Sequence, residues 1–184
     1  MARHDLDKYA RDVRAWRDWA DLYWTATDLL FRSENIAMYL PAATMAHHTL
    51  ERYLKAALIA SGATVCSRQV AEAHGISAID CVWGHQLSTL AISLGKRQSA
   101  FDPGVSLGIP VSILDGGHTL LEGLRHFEPY FEELRYPQQL RQMEGVGQHE
   151  WHVLHRMVNV LRPFTFSRSD SEAYEPRRDG SDDR

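Results

Sequence analysis

The chain reads as an all-α protein: a helical bundle of about five helices, up-and-down with one long connector. Three observations predict this. Apolar residues recur at three- and four-residue spacing through several long windows, which lays them along one helical face. Glycine and proline punctuate the ends of those windows. The loops between them are mostly short enough to join antiparallel neighbours.

From Tyr9 to about Phe31, Val13, Trp16, Ala20, Tyr23 and Leu30 mark the face of a first helix. Pro41 suits the first turn of a second, because that position needs no intrahelical N–H. Its buried face is Ala43, Ala46, Leu50, Tyr53, Leu54, Ala57 and Leu58, and Gly62 stops it. Residues 63–84 form a structured connector, with a helical turn over Gln69–His74 broken by Gly75. In "HQLSTLAISL", from His85 to Leu94, Leu87, Leu90, Ala91 and Leu94 define a short helix ended by Gly95. "FDPGVSLGIP" is a loop packed through Phe101, Val105 and Ile109. A fourth helix starts near Ser112 or Asp115 and carries Leu120, Leu124, Phe127, Phe131 and Leu134; Pro129 either kinks it or divides it into Asp115–His126 and Pro129–Leu134. A last helix, His149–Leu161, sets Trp151, Leu154, Val158 and Leu161 on one side. Residues 1–166 are thus expected to form one helical domain, and the polar residues 167–184 a disordered tail.

With 184 residues, 44% of them hydrophobic, and five tryptophans, the chain has the length and composition of one domain with one core. No apolar run approaches the roughly 18–20 residues of a membrane span, so no membrane is implied. The start, Met1 to Asp5, lacks the apolar stretch of an export signal, and a cytoplasmic location is expected. Cys66 and Cys81 make no CxxC pair and read as reduced thiols, neither a good nucleophile. A formal net charge of −4 gives no broad electrostatic case for nucleic acid, so an RNA role must rest on a local site. The HxxHxxH series His149, His152 and His155 could place two ligands on one ion, but three from one straight helix subtend too wide an arc. No metal is therefore expected. HExxH, Walker, GxGxxG and GxSxG motifs are absent, and no cofactor is implied.

Four pieces in order carry a resemblance: the tryptophan-rich first helix, Glu51 followed by Leu54-Lys55-Ala56, "GHQL" from Gly84 to Leu87, and "LRYP" from Leu134 to Pro137. Together they resemble the HEPN family (higher eukaryotes and prokaryotes nucleotide-binding domains) over about Trp16 to Leu161. The resemblance implies a bundle of two antiparallel helix pairs, often a homodimer, and two kinds of activity. One kind is a metal-independent ribonuclease, in which a histidine acts as general base or acid and an arginine four to six residues away stabilises the transition state. This sequence departs from that motif: Arg135 runs into Tyr136 and Pro137, His149 lies too far on, and the one suitably spaced pair, Arg68 and His74, falls in the connector. "RYP" resembles a branch without the motif, commonly encoded beside a small nucleotidyltransferase partner.

The catalytic residues, if there are any, are therefore unknown. The candidate cluster is Glu51, Lys55, His85, Arg135 and Tyr136, with two readings. In one, Arg135 pairs with Glu51 or Glu132 and Tyr136 packs over the bundle, as structural groups. In the other, Arg135, Lys55 and His85 bind an anion such as a nucleotide phosphate. Glu51 and Lys55 can also be a solvent-facing pair four residues apart. His47 and His48 point about 100° apart, so one should face outward. The aromatic stripe Trp16, Trp19, Tyr23 and Trp24 reads as core or dimer packing, and exposure of Trp19 or Trp24 would favour a partner surface over a base-stacking platform. The expected function is a non-catalytic, dimeric HEPN-like binding module, paired with a nucleotidyltransferase-like partner in a toxin–antitoxin or defence-type system. The alternative is a ribonuclease acting on RNA through His118, His126 or His149 with Arg135 or Arg141 across a dimer.

Overall fold

The computed structural model describes residues 11–33, 35–98, 100–104, 119–130 and 148–166, the side chains of Ile36, Gln148 and His149 excepted. Among the described residues the chain is mostly helical: α1 (Val13–Arg32), α2 (Ile36–Ala60), α3 (Arg68–His74), α4 (Leu87–Arg97), α5 (Leu120–Phe127) and α6 (Gln148–Leu161), closed by a 3₁₀ turn over Arg162–Thr165. A two-stranded parallel sheet, β1 (Thr64–Val65) and β2 (Cys81–Val82), is the only other regular structure there.

The helix ends follow from side chains that satisfy backbone donors lacking an intrahelical acceptor. Asp12 accepts from Ala15 N at 3.0 Å and opens α1. Asn35 accepts from Ala37 N and opens α2, so this helix begins one turn before Pro41. Pro41 is an interior residue rather than a first-turn one, and costs the helix one bond at its N-terminal end. Ser67 opens α3, and Gly75, in the left-handed region at φ 64°, closes it. The fourth long helix of the sequence reading begins with the Thr119/Glu122 capping box, and Glu128 separates α5 from Pro129. Residues 105–118 and 131–147 lie outside the described residues, and with them Val105, Ile109, Phe131, Leu134 and the "RYP" segment.

Gly95 does not end α4. The helix runs on to Arg97, and a Cβ on Gly95 would sit 3.0 Å from Pro103 Cδ, so glycine there lets the 101–104 loop close over the helix. Gln86, the residue before α4, supplies no side-chain cap; Glu128 reaches across from the end of α5 and accepts from Ser88 N at 2.6 Å.

α1 and α2 pair antiparallel, as shown by contacts whose numbers run in opposite directions: Thr27 hydroxyl to Thr49 hydroxyl at 3.3 Å, Tyr53 hydroxyl donating to Asp21 at 2.5 Å, and Arg52 over Trp16. The face of α1 that enters the core is Ala20, Thr27 and Phe31, shifted from the tryptophan-led face of the sequence reading. α2 is the central helix, with Ala46, Leu50, Leu54 and Leu58 fully buried against α1, α4, α5 and α6. Leu154, Met157, Val158 and Leu161 of α6 complete the core. Leucines and alanines are the commonest residues in this core, and apolar surface removed from water stabilises the fold by about 25 cal/mol per Å².

The connector after α2 is a small crossover. Thr64 pairs with Cys81 and Val65 with Val82 in parallel register, and α3 carries the chain from one strand to the next. Sequence periodicity cannot show two-residue strands, and this sheet was not expected.

Candidate functional site

Among the described residues, a group of titratable side chains gathers around Glu51, in the middle of α2. Helical geometry puts residues four apart on one stripe, so His47, Glu51 and Lys55 line up along α2, with His48 and Arg52 on the next stripe. His85 comes from a different element, at the turn between β2 and α4 where Gly84 takes φ 108°.

The Glu51 carboxylate is buried, and its Oε1 accepts from Lys55 Nζ at 2.5 Å and from His85 Nδ1 at 3.0 Å. Its Oε2 faces His48 Nδ1 at 3.8 Å and His47 Nε2 at 3.9 Å. Burial by itself would raise the Glu51 carboxyl. Interactions with His48, the Lys55 charge and hydrogen bond, and the His85 hydrogen bond outweigh it and hold Glu51 well below the carboxylate range. Lys55 is buried too, so the pair is not the solvent-facing one that spacing alone allowed. The reason is Trp16: α1 packs its indole over the ammonium, Nζ lying 5.5 Å from the ring centroid.

His47 is fully buried, and burial lowers its pKa more than the Phe127 carbonyl and Glu51 raise it. A carbonyl can only accept, so His47 Nδ1 donates to Phe127 O at 3.1 Å and carries the ring proton. His48 is the outward-facing member of the pair and meets Tyr23 in a tilted ring contact, centroids 5.5 Å apart. Arg52 lies over three rings of α1: Tyr23 at 4.5 Å, Trp19 at 5.6 Å and Trp16 at 5.9 Å. The aromatic stripe is therefore a platform for the cations of α2, with Trp19 still 52% exposed on its outer side.

Three of the five candidate residues, Glu51, Lys55 and His85, thus meet at one point. Arg135 and Tyr136 lie outside the described residues, as do Glu132, His118 and Arg141. Sequence reasoning passed over Arg52, and treated His47 and His48 apart from Glu51; the four-residue spacing on α2 was the available signal. Chemically, the cluster joins an ionised carboxylate, a buried ammonium and a histidine held by its Nδ1. The His85 side chain is half exposed, so an imidazole edge is reachable from solvent. Lys55 is turned inward and neutralised, which leaves little of its charge for an external anion.

The other candidates go to different uses. Arg68 pairs with Glu72 at 3.0 Å, and six residues along a helix turn His74 about 120° away from it. His126 faces buried Glu150 at 3.7 Å. His155 packs against Trp24 and Trp151, each ring centroid 5.5 Å away, and His152 against Trp151 at 4.7 Å. Among the described residues no helix is long and apolar enough to cross a membrane. No protein-family model, curated protein or solved structure matches the chain.

Proposed function

We propose that this chain is a non-catalytic, HEPN-like binding module that pairs with a second copy of itself through the outer face of α1, and that the dimer engages a nucleotidyltransferase-like protein in a toxin–antitoxin type of system. The observation that carries the pairing is an apolar stripe on α1. Trp19, Leu22, Ala26 and Leu29 recur at three- and four-residue steps on the side away from Ala20, Thr27 and Phe31, and the three large ones are 52%, 62% and 65% exposed. A second apolar face left in water on a helix that already buries one face marks a surface for a partner to cover. An antiparallel pair of α1 helices centred near Thr25 would lay the stripes together and set exposed Asp18 opposite exposed Arg32 of the second copy. The Glu51 cluster supports the non-catalytic part: its lysine is neutralised inside the fold by Glu51, and the His85–Glu51 hydrogen bond ties α2 to the segment before α4. The nucleotidyltransferase-like partner rests on the sequence resemblance alone.

Light scattering over a concentration series tests the pairing. The wild-type mass is expected to rise from the chain mass toward twice that mass, and Leu22→Asp to stay at the chain mass with unchanged helix content; a wild type that remains monomeric at the highest concentration sinks the proposal.

A second reading, a metal-independent ribonuclease, is favoured by one feature. His85, half exposed and held through Nδ1 by Glu51, has the arrangement of an oriented general base. Incubation with mixed RNA in EDTA, beside His85→Ala and Arg135→Ala, decides it: cleavage by wild type that His85→Ala loses would replace the binding-module reading.

A further inference from the structure

A second chemical site lies in the connector, away from the Glu51 cluster. Cys66 follows β1 directly and Cys81 opens β2, and the parallel pairing of the two strands brings their side chains together. Both thiols are free, with Sγ atoms 3.1 Å apart. Their orientation is fixed: the Cys66 thiol donates to Cys81 Sγ, and the Cys81 thiol donates to the Cys66 carbonyl at 3.1 Å. The two differ in access, Cys66 being buried and Cys81 partly exposed.

We propose that Cys66 and Cys81 form a redox-active dithiol, closed to an intramolecular disulfide by exchange with low-molecular-weight disulfides of the glutathione class. Cys81, the accessible sulfur, loses its proton and attacks the external disulfide. One S–S bond breaks, a mixed disulfide forms on Cys81, and the first small thiol leaves with a proton. Cys66 then attacks Cys81 Sγ from 3.1 Å, releasing the second small thiol, which takes the Cys66 proton. Two protein thiols are oxidised and one external disulfide is reduced to two thiols, so electrons and protons balance. Burial, with Cys81 adding to it, pushes the Cys66 thiol up to about 11, which disfavours its thiolate, so Cys66 is not the sulfur that opens the exchange. Closure would bridge residues 66–81 around α3 and pin β2, the strand from which Trp83, Gly84 and His85 lead to Glu51. The inference is independent of the proposed dimer.

The test uses the full chain, incubated with oxidised glutathione or with dithiothreitol, quenched by alkylation and digested for mass spectrometry. The expected product is a peptide linking Cys66 to Cys81 within one chain, with no retained glutathione and a Tm raised by roughly 5–10 °C, reversed by dithiothreitol. Glutathione remaining on Cys81 beside an alkylated Cys66, two alkylated cysteines, or a disulfide between chains overturns it. Cys66→Ser should trap glutathione on Cys81; a Cys81 that stays alkylated would overturn the order of attack, and the wild-type digest decides the proposal even if this variant does not fold.

Discussion

Glu51 illustrates how one side chain can be costly and well held at once. A buried carboxylate is stable only while its partners stay, and Lys55, buried beside it, depends on it equally. Glu51→Ala should therefore lower stability by about 3–5 kcal/mol in urea unfolding, because the Lys55 charge is left buried and unpaired. Glu51→Ala with Lys55→Met should recover much of that loss; a double variant as unstable as the single one would show that the cost lay elsewhere. The exposed Arg68 and Glu72 pair, of the same four-residue spacing, provides the contrast: Arg68→Ala should not measurably move the urea midpoint. The same cluster makes the fold acid-labile. His47 has a lowered pKa in the fold, so the unfolded chain takes up its proton first as pH drops through 6.5, and the stability from a neutral His47 is present above that value and lost below it. Glu51, also lowered, contributes stability that is present above 4.5 and lost as pH falls from there toward its folded value. A urea midpoint that is flat between pH 6.5 and 9, declines below 6.5 and falls further below 4.5 is expected, with Glu51→Gln flattening the lower arm.

Between side chain and fold, what decides an element is often supplied by a neighbour, and this sets how much the sequence could disclose. The faces of α2 and α6 were legible because Leu50, Leu54, Leu154 and Leu161 repeat at helical steps and all enter the core. Pro41 and Gly95 were misleading for a physical reason: each is a poor helix residue by itself, yet the Asn35 cap starts α2 earlier and the closeness of Pro103 makes glycine useful inside α4. Glu51 and Lys55 could be placed on one helix from spacing, but their burial could not, since it depends on Trp16 arriving from α1. His85 is 34 residues from Glu51 and Cys81 is 15 from Cys66; only tertiary structure joins either pair. The α4 cap is of the same kind, because Gln86 leaves the first turn uncapped and Glu128 supplies the oxygen from 40 residues away. Glu128→Ala should cost about 1 kcal/mol and speed amide exchange at Ser88 more than at the centre of α4. Equal protection at Ser88 in variant and wild type would show that this contact does not hold the helix end.

The assembled chain spends the two sides of α1 differently, and this allows the forces behind the proposed dimer to be separated. Its inner side is packed against α2 and its cation-bearing stripe, while Leu22 and Leu29 remain in water. Covering them with their equivalents removes four half-exposed leucines from water, on the order of 1 kcal/mol each, and the two copies of Trp19 add to this. Set against an association cost of about 4 kcal/mol or more, that surplus supports a reversible dimer of modest affinity rather than a permanent one. The flanking pair of Asp18 with Arg32 of the second copy is solvent-exposed in both members and already shared with Arg14 and Asp28 within each chain, so it contributes little. If apolar burial is the driving force, raising salt from about 0.05 to 0.5 M should change the dissociation constant by only a few-fold, since that range shortens the Debye length to a few ångströms without weakening hydrophobic contact. Leu22→Asp or Leu29→Asp should abolish sedimentation as a dimer at the same concentrations, and Asp18→Asn should leave it nearly intact. Dimer dissociation by salt and by Asp18→Asn, with Leu22→Asp still dimeric, would place the contact on a charged surface instead of the α1 stripe.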